Sequence, residues 1–370
     1  MRLTKDLVSP FINSYIVDYP TPWNFENDDS WSLEEAAVIC LVIHIVSGIL
    51  YVIVFYAPPL YLLFLDIDSY IEGLEFLNFC VFKNLRDGWL IRYLHANGAS
   101  MFFIVVYCHI FRGLFYGSYM FPRERLWVNC LVIFLMIIIF VDSFALEWYV
   151  KIAPFGIITL RDVFPFLVTG LVFIHWGSYY LQGYNNPLGI DPRVQTISFY
   201  PFFYAKELYS FFVLVFFLSL FVVYYPNIIS HPASYVPSNP TATIPAWYFL
   251  PFYAILHSIP DKLGGILALF SAIIVLMILP FLNTSQVRSG SYKPRYAITY
   301  WFFLIDFIIL GWVGQTPLQT PFIEIGMLAT VYYFFFLLIL LPAIGYIESK
   351  LASIKSYTPK FGPKEFIIDE

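Results

Sequence analysis

The sequence predicts an all-α membrane protein with eight transmembrane helices. Three observations support this fold class. Of the 370 residues, 60% are apolar and only 12% are charged, which is about half the charged fraction of a soluble domain. The mean hydropathy is +0.73. Apolar segments close to the roughly 20 residues needed to cross a bilayer recur along the chain. A soluble globular domain is therefore excluded.

Eight apolar segments are long enough, or nearly long enough, to cross a bilayer as helices, at a rise of about 1.5 Å per residue. They are Leu33–Phe55, Trp89–Tyr116, Leu126–Leu146, Val163–Leu181, Leu208–Tyr225, Gly264–Leu282, Tyr296–Trp312 and Ile323–Ile347. The seventh segment is interrupted by Asp306 and gives the weakest signal. We expect the first four helices to form a bundle within residues 1–207. The other four, with a Pro-rich loop, would occupy residues 208–370.

The charge distribution and the N-terminal composition indicate which partners and which targeting signals are not expected. The net charge of -5 is scattered along the chain, and no basic run is long enough to bind nucleic acid. The N-terminal segment lacks both the apolar core of a secretory signal and the Arg-rich character of a transit peptide. We therefore expect a chain that is inserted into the membrane where it is made and that has no nucleic-acid partner.

Two histidines in the second predicted span give the strongest functional signal. Histidine is unfavourable inside hydrocarbon, so an intramembrane histidine indicates a functional site. His95 and His109 are fourteen residues apart, a spacing that returns nearly to the same helix face about 21 Å along the axis. Neutral imidazole is an axial ligand of haem iron. The spacing therefore predicts two stacked haems, each of which needs a second ligand from another helix.

The fourth predicted span supplies one matching histidine. His175 lies in this span, but the residue fourteen positions earlier is Arg161. Spacing alone thus gives one complete histidine pair and one position at which an arginine stands in place of the second ligand. The alternative, above all for His44 in the first span, is a polar side chain that hydrogen-bonds between helices.

The residues around these histidines resemble a known family. GWLIRYLHANGASMFFIVVYCHIFRGLFYGSY, at Gly88–Tyr119, is similar almost position by position to the second helix of mitochondrial cytochrome b, the quinol-oxidising subunit of the bc1 complex. Further similar segments are NNPLGI at Asn185–Ile190, WYFLPFYAILHSIPDKLGG at Trp247–Gly265 and ESKL at Glu348–Leu351. They follow the family order and span most of the chain.

The resemblance implies an eight-helix fold with two b-type haems, and this chain matches the site of one of them. His109 and His175 stand where the family ligates its high-potential haem. An arginine three residues beyond the first of these ligands can neutralise a haem propionate, although a snorkelling side chain is the alternative. The residues that would line the pocket and the propionates are Arg112, Ser118, Trp127 and Asn185.

The family's second haem is not expected in this chain. The resemblance implies that its ligands would be His95, which has Arg92 beside it, and a histidine at position 161 of the fourth span. Arg161 stands at that position and has no lone pair to offer iron. Gly48 keeps a glycine that would let haem approach the first helix, whereas Phe144, or Ser143 in the alternative register, replaces the corresponding glycine of the third. We therefore expect one b-type haem.

The quinol-oxidation site of the family is also altered. Of its PWGQ segment only Trp148 is kept, and the PEWY motif reads Pro245-Ala246-Trp247-Tyr248. Ala246 has no titratable group, so it cannot accept a proton from quinol. Quinol oxidation in the family's manner is not expected from this chain alone.

The quinone site on the other side of the membrane keeps polar groups. Tyr180, Lys206 and Glu207 stand at its positions. The hydroxyl and the carboxyl can hydrogen-bond a quinone carbonyl, and the carboxyl can deliver a proton. The alternative is that Lys206 and Glu207 are a solvated pair at the start of the fifth helix.

Two functions are consistent with these residues. The first is a cytochrome b in a dimeric quinol:cytochrome c reductase of the inner mitochondrial membrane. Cytochrome c1, an iron–sulfur protein and membrane lipid would be its partners, and a quinone such as ubiquinone its electron acceptor. The second is a structural or assembly subunit that keeps the fold and one haem without oxidising quinol. A transporter would show inverted repeats or broken helices, and the sequence shows neither.

Overall fold

The fold is given by a computed structural model. It describes residues 20–22, 33–62, 88–142, 154–183, 185–189, 196–229 and 246–356. Within these ranges, the backbone but not the side chains is described for residues 20–22, 51–62, 139–142, 154–164, 196–199 and 352–356. Ser143, Phe144, Trp148 and Pro245 lie outside the described residues, so the expectations that concern them stay predictions.

Helices make up nearly all the secondary structure of the described residues, and each of the predicted spans overlaps one or more of them. The helices are α1 (Leu33–Leu62), α2 (Gly88–Phe115), α3 (Glu124–Asp142), α4 (Pro154–Gln182), α5 (Tyr204–Tyr224), α6 (Leu250–Ser258), α7 (Lys262–Met277), α8 (Leu279–Leu282), α9 (Pro294–Gly314), α10 (Phe322–Phe335) and α11 (Leu341–Ser356). Phe336–Leu340 is a π-helical segment that joins α10 to α11. The prediction of an all-helical architecture is confirmed at this level.

Several of these helices are long and apolar enough to cross a membrane. Among the described residues the candidate spans are Leu33–Leu50, Gly88–Phe115, Tyr200–Tyr224, Pro294–Gly314 and Phe322–Leu351. The chain is therefore a multi-pass membrane protein. The span that Asp306 made least certain is among them, as α9. For α3, α4 and the shorter apolar helix α7, membrane crossing stays a prediction, and with it the count of eight.

Most of the helices extend beyond their predicted bounds, and α1 and α4 are two clear cases. α1 continues to Leu62 rather than ending at Phe55, and α4 begins at Pro154 rather than Val163. The prediction for α4 followed an apolar run and therefore began only after the charged residues Arg161 and Asp162. Main-chain hydrogen bonds do not require apolar side chains, and proline is tolerated in the first helical turn. The helix therefore continues through the charged positions.

A short strand pair is present that the sequence did not predict. β1 (Pro20–Pro22) and β2 (Thr196–Ser198) pair antiparallel, with Thr21 opposite Ile197. A three-residue strand is too short to show the period-2 alternation by which strands are recognised.

The described residues fall into two compact units. The first takes its residues from 1–112, 153–167 and 191–250. Within it α1 packs against α5. Leu214 and Leu218 of α5 are buried, as is Cys40 of α1. This unit contains His95 and His109.

The second unit takes its residues from 113–152, 168–190 and 251–370. Its core aromatic residues satisfy their polar atoms on the main chain of neighbouring segments. The Tyr296 hydroxyl donates to the Leu114 carbonyl at 2.7 Å, and the Tyr333 hydroxyl donates to the Ala272 carbonyl at 2.8 Å. A buried hydroxyl without a partner would cost about 1–3 kcal/mol, so these bonds allow large polar aromatics in the core.

Substituting Gly265 by alanine should destabilise the second unit. Gly265 lies in the first turn of α7, which is so close to α6 that an added Cβ would collide with the Leu256 carbonyl oxygen. We expect Gly265→Ala to cost about 1–3 kcal/mol, measured as a lower thermal midpoint of the protein in detergent. The matched control is Gly170→Ala in α4, where an added Cβ meets nothing within 4 Å. Equal midpoints for the two variants would contradict the close packing of α6 and α7.

Candidate functional site

His109 lies beside a carboxylate that sequence analysis did not single out. Glu34, in the first turn of α1, places Oε1 3.6 Å from His109 Nδ1 and Oε2 3.3 Å from Arg112 Nη1. The three residues, here called the Glu34 cluster, join α1 to the last turns of α2. A glutamate at a helix N-terminus is favoured by the helix dipole, and an acidic residue at the edge of an apolar span was the signal that could have identified it.

The Glu34 cluster gives His109 the surroundings of a metal-ligating histidine. Such histidines commonly direct one ring nitrogen at a carboxylate, which sets the tautomer and leaves the other nitrogen to bind the metal. With Nδ1 on the Glu34 side, Nε2 is the nitrogen that would ligate an iron atom. The described residues therefore fit an axial haem ligand at His109.

His95, by contrast, packs against a second histidine of its own unit. Its ring is stacked on that of His44, with centroids 4.0 Å apart and an interplanar angle of 14°. The Ser47 hydroxyl lies 3.1 Å from His95 Nδ1 and donates to the His44 carbonyl at 3.0 Å. These three residues, here called the histidine stack, link α1 to α2. His44 thus contacts α2 by ring stacking, whereas the hydrogen bond between the two helices is formed by Ser47.

Gly48 of α1 packs directly against the histidine stack. A Cβ at Gly48 would lie 3.1 Å from His95 Cε1, so the glycine makes room for the imidazole itself. Arg92 is half-buried on α2, and Arg161 lies on α4 where the backbone is described. The expectation that these residues belong to the site of an absent second haem stays a prediction.

The second unit holds the other predicted pocket residues. The Asn185 amide donates to Ser118 Oγ at 2.8 Å and to the Tyr116 carbonyl at 3.1 Å. Trp127 donates its indole N–H to the Leu276 carbonyl at 2.8 Å. The structure therefore brings Ser118 and Asn185 together, whereas the indole N–H of Trp127 is already hydrogen-bonded to a main-chain carbonyl.

His175 is half-buried in α4, in the second unit. A ligand nitrogen of His175 lies within 4.8 Å of Cys130 Sγ. One turn further along α4, the Ser178 hydroxyl accepts from the Asn129 amide at 2.9 Å. These contacts join α3 to α4, and they place a second potential iron ligand in a partly polar environment. Its pairing with His109 stays a prediction.

Two of the predicted quinone-binding residues lie in the first turn of α5. The Lys206 ammonium lies 5.6 Å from the centroid of the Phe203 ring. Glu207 forms a side-chain hydrogen bond with Glu35 of α1, and these two residues are here called the carboxyl pair. Two carboxyl groups hydrogen-bond only when one of them carries a proton. Glu35 is a second acidic residue that sequence analysis missed.

The third predicted quinone residue, Tyr180, belongs to the second unit. Its side chain is 44% exposed, and its ring is tilted against that of Trp176 with centroids 5.7 Å apart. The phenol is therefore accessible for hydrogen bonding.

The altered PEWY motif packs on α2. The Tyr248 ring stacks on that of Phe103 at 3.8 Å, and the Trp247 indole donates to Ser100 Oγ at 3.3 Å. The Tyr107 hydroxyl donates to the Tyr248 carbonyl. Burial raises the pKa of Tyr248 to about 12, so this phenol stays protonated at neutral pH. Ala246 is exposed, and the position at which the family motif has its acid therefore carries only a methyl group.

The chain matches two protein-family models and is similar to curated proteins over nearly its full length. A family model described as cytochrome b/b6/petB matches residues 16–185, and one described as cytochrome b(C-terminal)/b6/petD matches residues 235–334. A cytochrome b of Phytophthora megasperma is 38% identical, covering 95% of this chain and 98% of its own length. A cytochrome b of Chondrus crispus is 36% identical, covering 96% of this chain and 100% of its own length.

A solved structure shares the fold. A chain from a hyperthermophilic respiratory complex III superimposes with a TM-score of 0.77 at 23% identity, covering 94% of this chain and 99% of its own. The fold agrees with that expected from the motif around His109. With full-length relatives above one-third identity, this chain belongs to the cytochrome b family.

Proposed function

We propose that the chain is the cytochrome b subunit of a respiratory quinol:cytochrome c reductase and passes electrons through a b-type haem toward a quinone. The observation that carries this proposal is the 38% identity to a cytochrome b over 95% of the chain. The surroundings of His109 in the Glu34 cluster support it locally. By the same similarity, cytochrome c1, an iron–sulfur protein and a second copy of the complex would be its partners in the inner mitochondrial membrane, which the chain would cross eight times.

The haem would be held by His109 and His175, and it would supply reversible one-electron transfer when bound. Each imidazole is neutral when it donates a lone pair to iron. Ser118 and Asn185, which belong to the same unit as His175, are hydrogen-bonded to each other. This bond would help to orient their polar groups toward a propionate. Arg112 can contribute a positive charge, but Glu34 compensates part of it.

The quinone would be bound by residues at the start of α5 and at the end of α4. Lys206 can donate to a quinone oxygen, and Tyr180 can donate its exposed hydroxyl. The two members of the carboxyl pair lie next to each other, and one of two adjacent carboxyl groups readily holds a proton, because like charges at close range disfavour ionisation of both. Glu207 is thus placed to give up a proton when a quinone is reduced.

Removing either proposed ligand should remove the haem. We expect His109→Ala and His175→Ala each to lose most of the bound haem, because a b-type haem has no covalent link to the protein and depends on its axial imidazoles. Haem content per chain is measured by pyridine haemochrome absorbance. His257→Ala is the matched control, since that ring packs edge-on against Tyr253 at 4.2 Å in α6. Unchanged haem in either ligand variant would refute the assignment.

Removing His95 should have little effect on haem. The ring belongs to the histidine stack, and its expected counterpart on α4 is an arginine. We therefore expect His95→Ala to keep the haem content and the α-band position of the unaltered protein in a reduced-minus-oxidised spectrum. A loss as large as that in His109→Ala would show that His95 is itself a haem ligand.

Placing an acid at position 246 should raise the rate of quinol oxidation. In the purified complex we expect Ala246→Glu to raise quinol-dependent cytochrome c reduction at least about tenfold, since a positioned proton acceptor contributes about 10²–10⁴-fold. The exposed position can hold the longer side chain. Ala246→Gln is the control, because it matches the size without a titratable group.

Equal rates in these two variants would contradict the role of the missing acid. A complex that carries haem but reduces no cytochrome c in any variant would instead favour a structural or assembly subunit.

A further inference from the structure

The Glu34 cluster places a negative charge next to the proposed haem ligand. We propose that Glu34 holds the reduction potential of the haem at His109 below the value that a neutral residue at position 34 would give. The inference rests on the proposed function, because it requires His109 to bind iron. Glu34 acts through His109 and is therefore a positioning residue.

The first step of the argument is the contact with the ligand ring. Glu34 Oε1 lies 3.6 Å from His109 Nδ1. A carboxylate on the far nitrogen of a ligating imidazole makes that ligand more basic. A more basic ligand donates more electron density to iron and stabilises the ferric over the ferrous form. The reduction potential falls as a result, since the surroundings of the axial ligand are one of the levers a protein has on haem.

The second step concerns the charge of Arg112. A cation near a haem favours the reduced form, which carries one electron more. Both Glu34 oxygens lie within hydrogen-bond range of Arg112 Nη1, at 3.4 and 3.3 Å. The ion pair compensates the guanidinium charge, so less of it acts on the haem. Both contacts of Glu34 therefore shift the potential in the same direction.

The neighbouring glutamate provides an internal comparison. Glu35 is next in sequence but forms its side-chain hydrogen bond with Glu207 of α5. Because two adjacent carboxyl groups disfavour ionisation of both, we expect removal of the Glu35 carboxyl to remove less charge than removal of that of Glu34. Its contact is also with α5 and not with the ligand ring. Glu35→Gln is therefore the matched control for Glu34→Gln.

The test is a redox titration of the haem α band in the purified complex, for unaltered protein and for both glutamine variants. At a fixed ambient potential we expect Glu34→Gln to raise the ratio of reduced to oxidised haem about tenfold, which is a positive shift of about 59 mV for a one-electron couple. Glu35→Gln should shift the ratio by less than about twofold, or roughly 18 mV by the same conversion. Equal shifts in the two variants, or no shift in Glu34→Gln, would overturn the inference.

A second variant decides the matter if Glu34→Gln does not retain haem. Glu34→Ser is likewise neutral at position 34 and has a smaller side chain. We again expect a rise of about tenfold, or about 59 mV. A potential equal to that of the unaltered protein in this variant would then overturn the inference. Absence of haem from the unaltered complex would refute the proposed function instead, and the two failures are thus distinguishable.

Discussion

The arrangement of the first unit depends on one constraint, which is that polar groups on apolar helices must be satisfied within the protein. Hydrocarbon offers no hydrogen-bond partners, and ionisable side chains inside a membrane are costly unless they pair. α1 satisfies this condition three times along its length. It contributes to the Glu34 cluster, to the carboxyl pair and to the histidine stack. The first and third of these join it to α2, and the second joins it to α5.

The same constraint separates the two histidines of α2. Their spacing makes them equivalent in sequence, yet their neighbours differ in kind. In the histidine stack, the ring of His95 contacts an imidazole and a hydroxyl, which are neutral groups that satisfy it within the unit. In the Glu34 cluster, the ring of His109 contacts a carboxylate, which is the partner that prepares an imidazole to bind a metal ion. The α2 helix is thus chemically asymmetric along its axis.

Much of this account could be predicted from the sequence. Long apolar runs gave the helices, and the motif around His109 gave the family. The failures have physical causes. The start of α4 was misplaced because a helix tolerates charged residues that an apolar run does not. Glu34 and Glu35 were missed because their significance lies in contacts with α2 and α5, far away in sequence. The histidine stack was foreseen only as a generic interhelical bond, since stacking depends on ring orientation.

The central claim is that the chain carries a single b-type haem at the His109 end of α2. The most direct test is the ratio of haem to protein in the purified complex, from pyridine haemochrome absorbance and quantitative amino-acid analysis of this chain. One haem per copy of the chain is the predicted result. Two haems per copy would contradict the account of the histidine stack and the arginine of α4, and a haem-free chain would contradict the ligand role of His109.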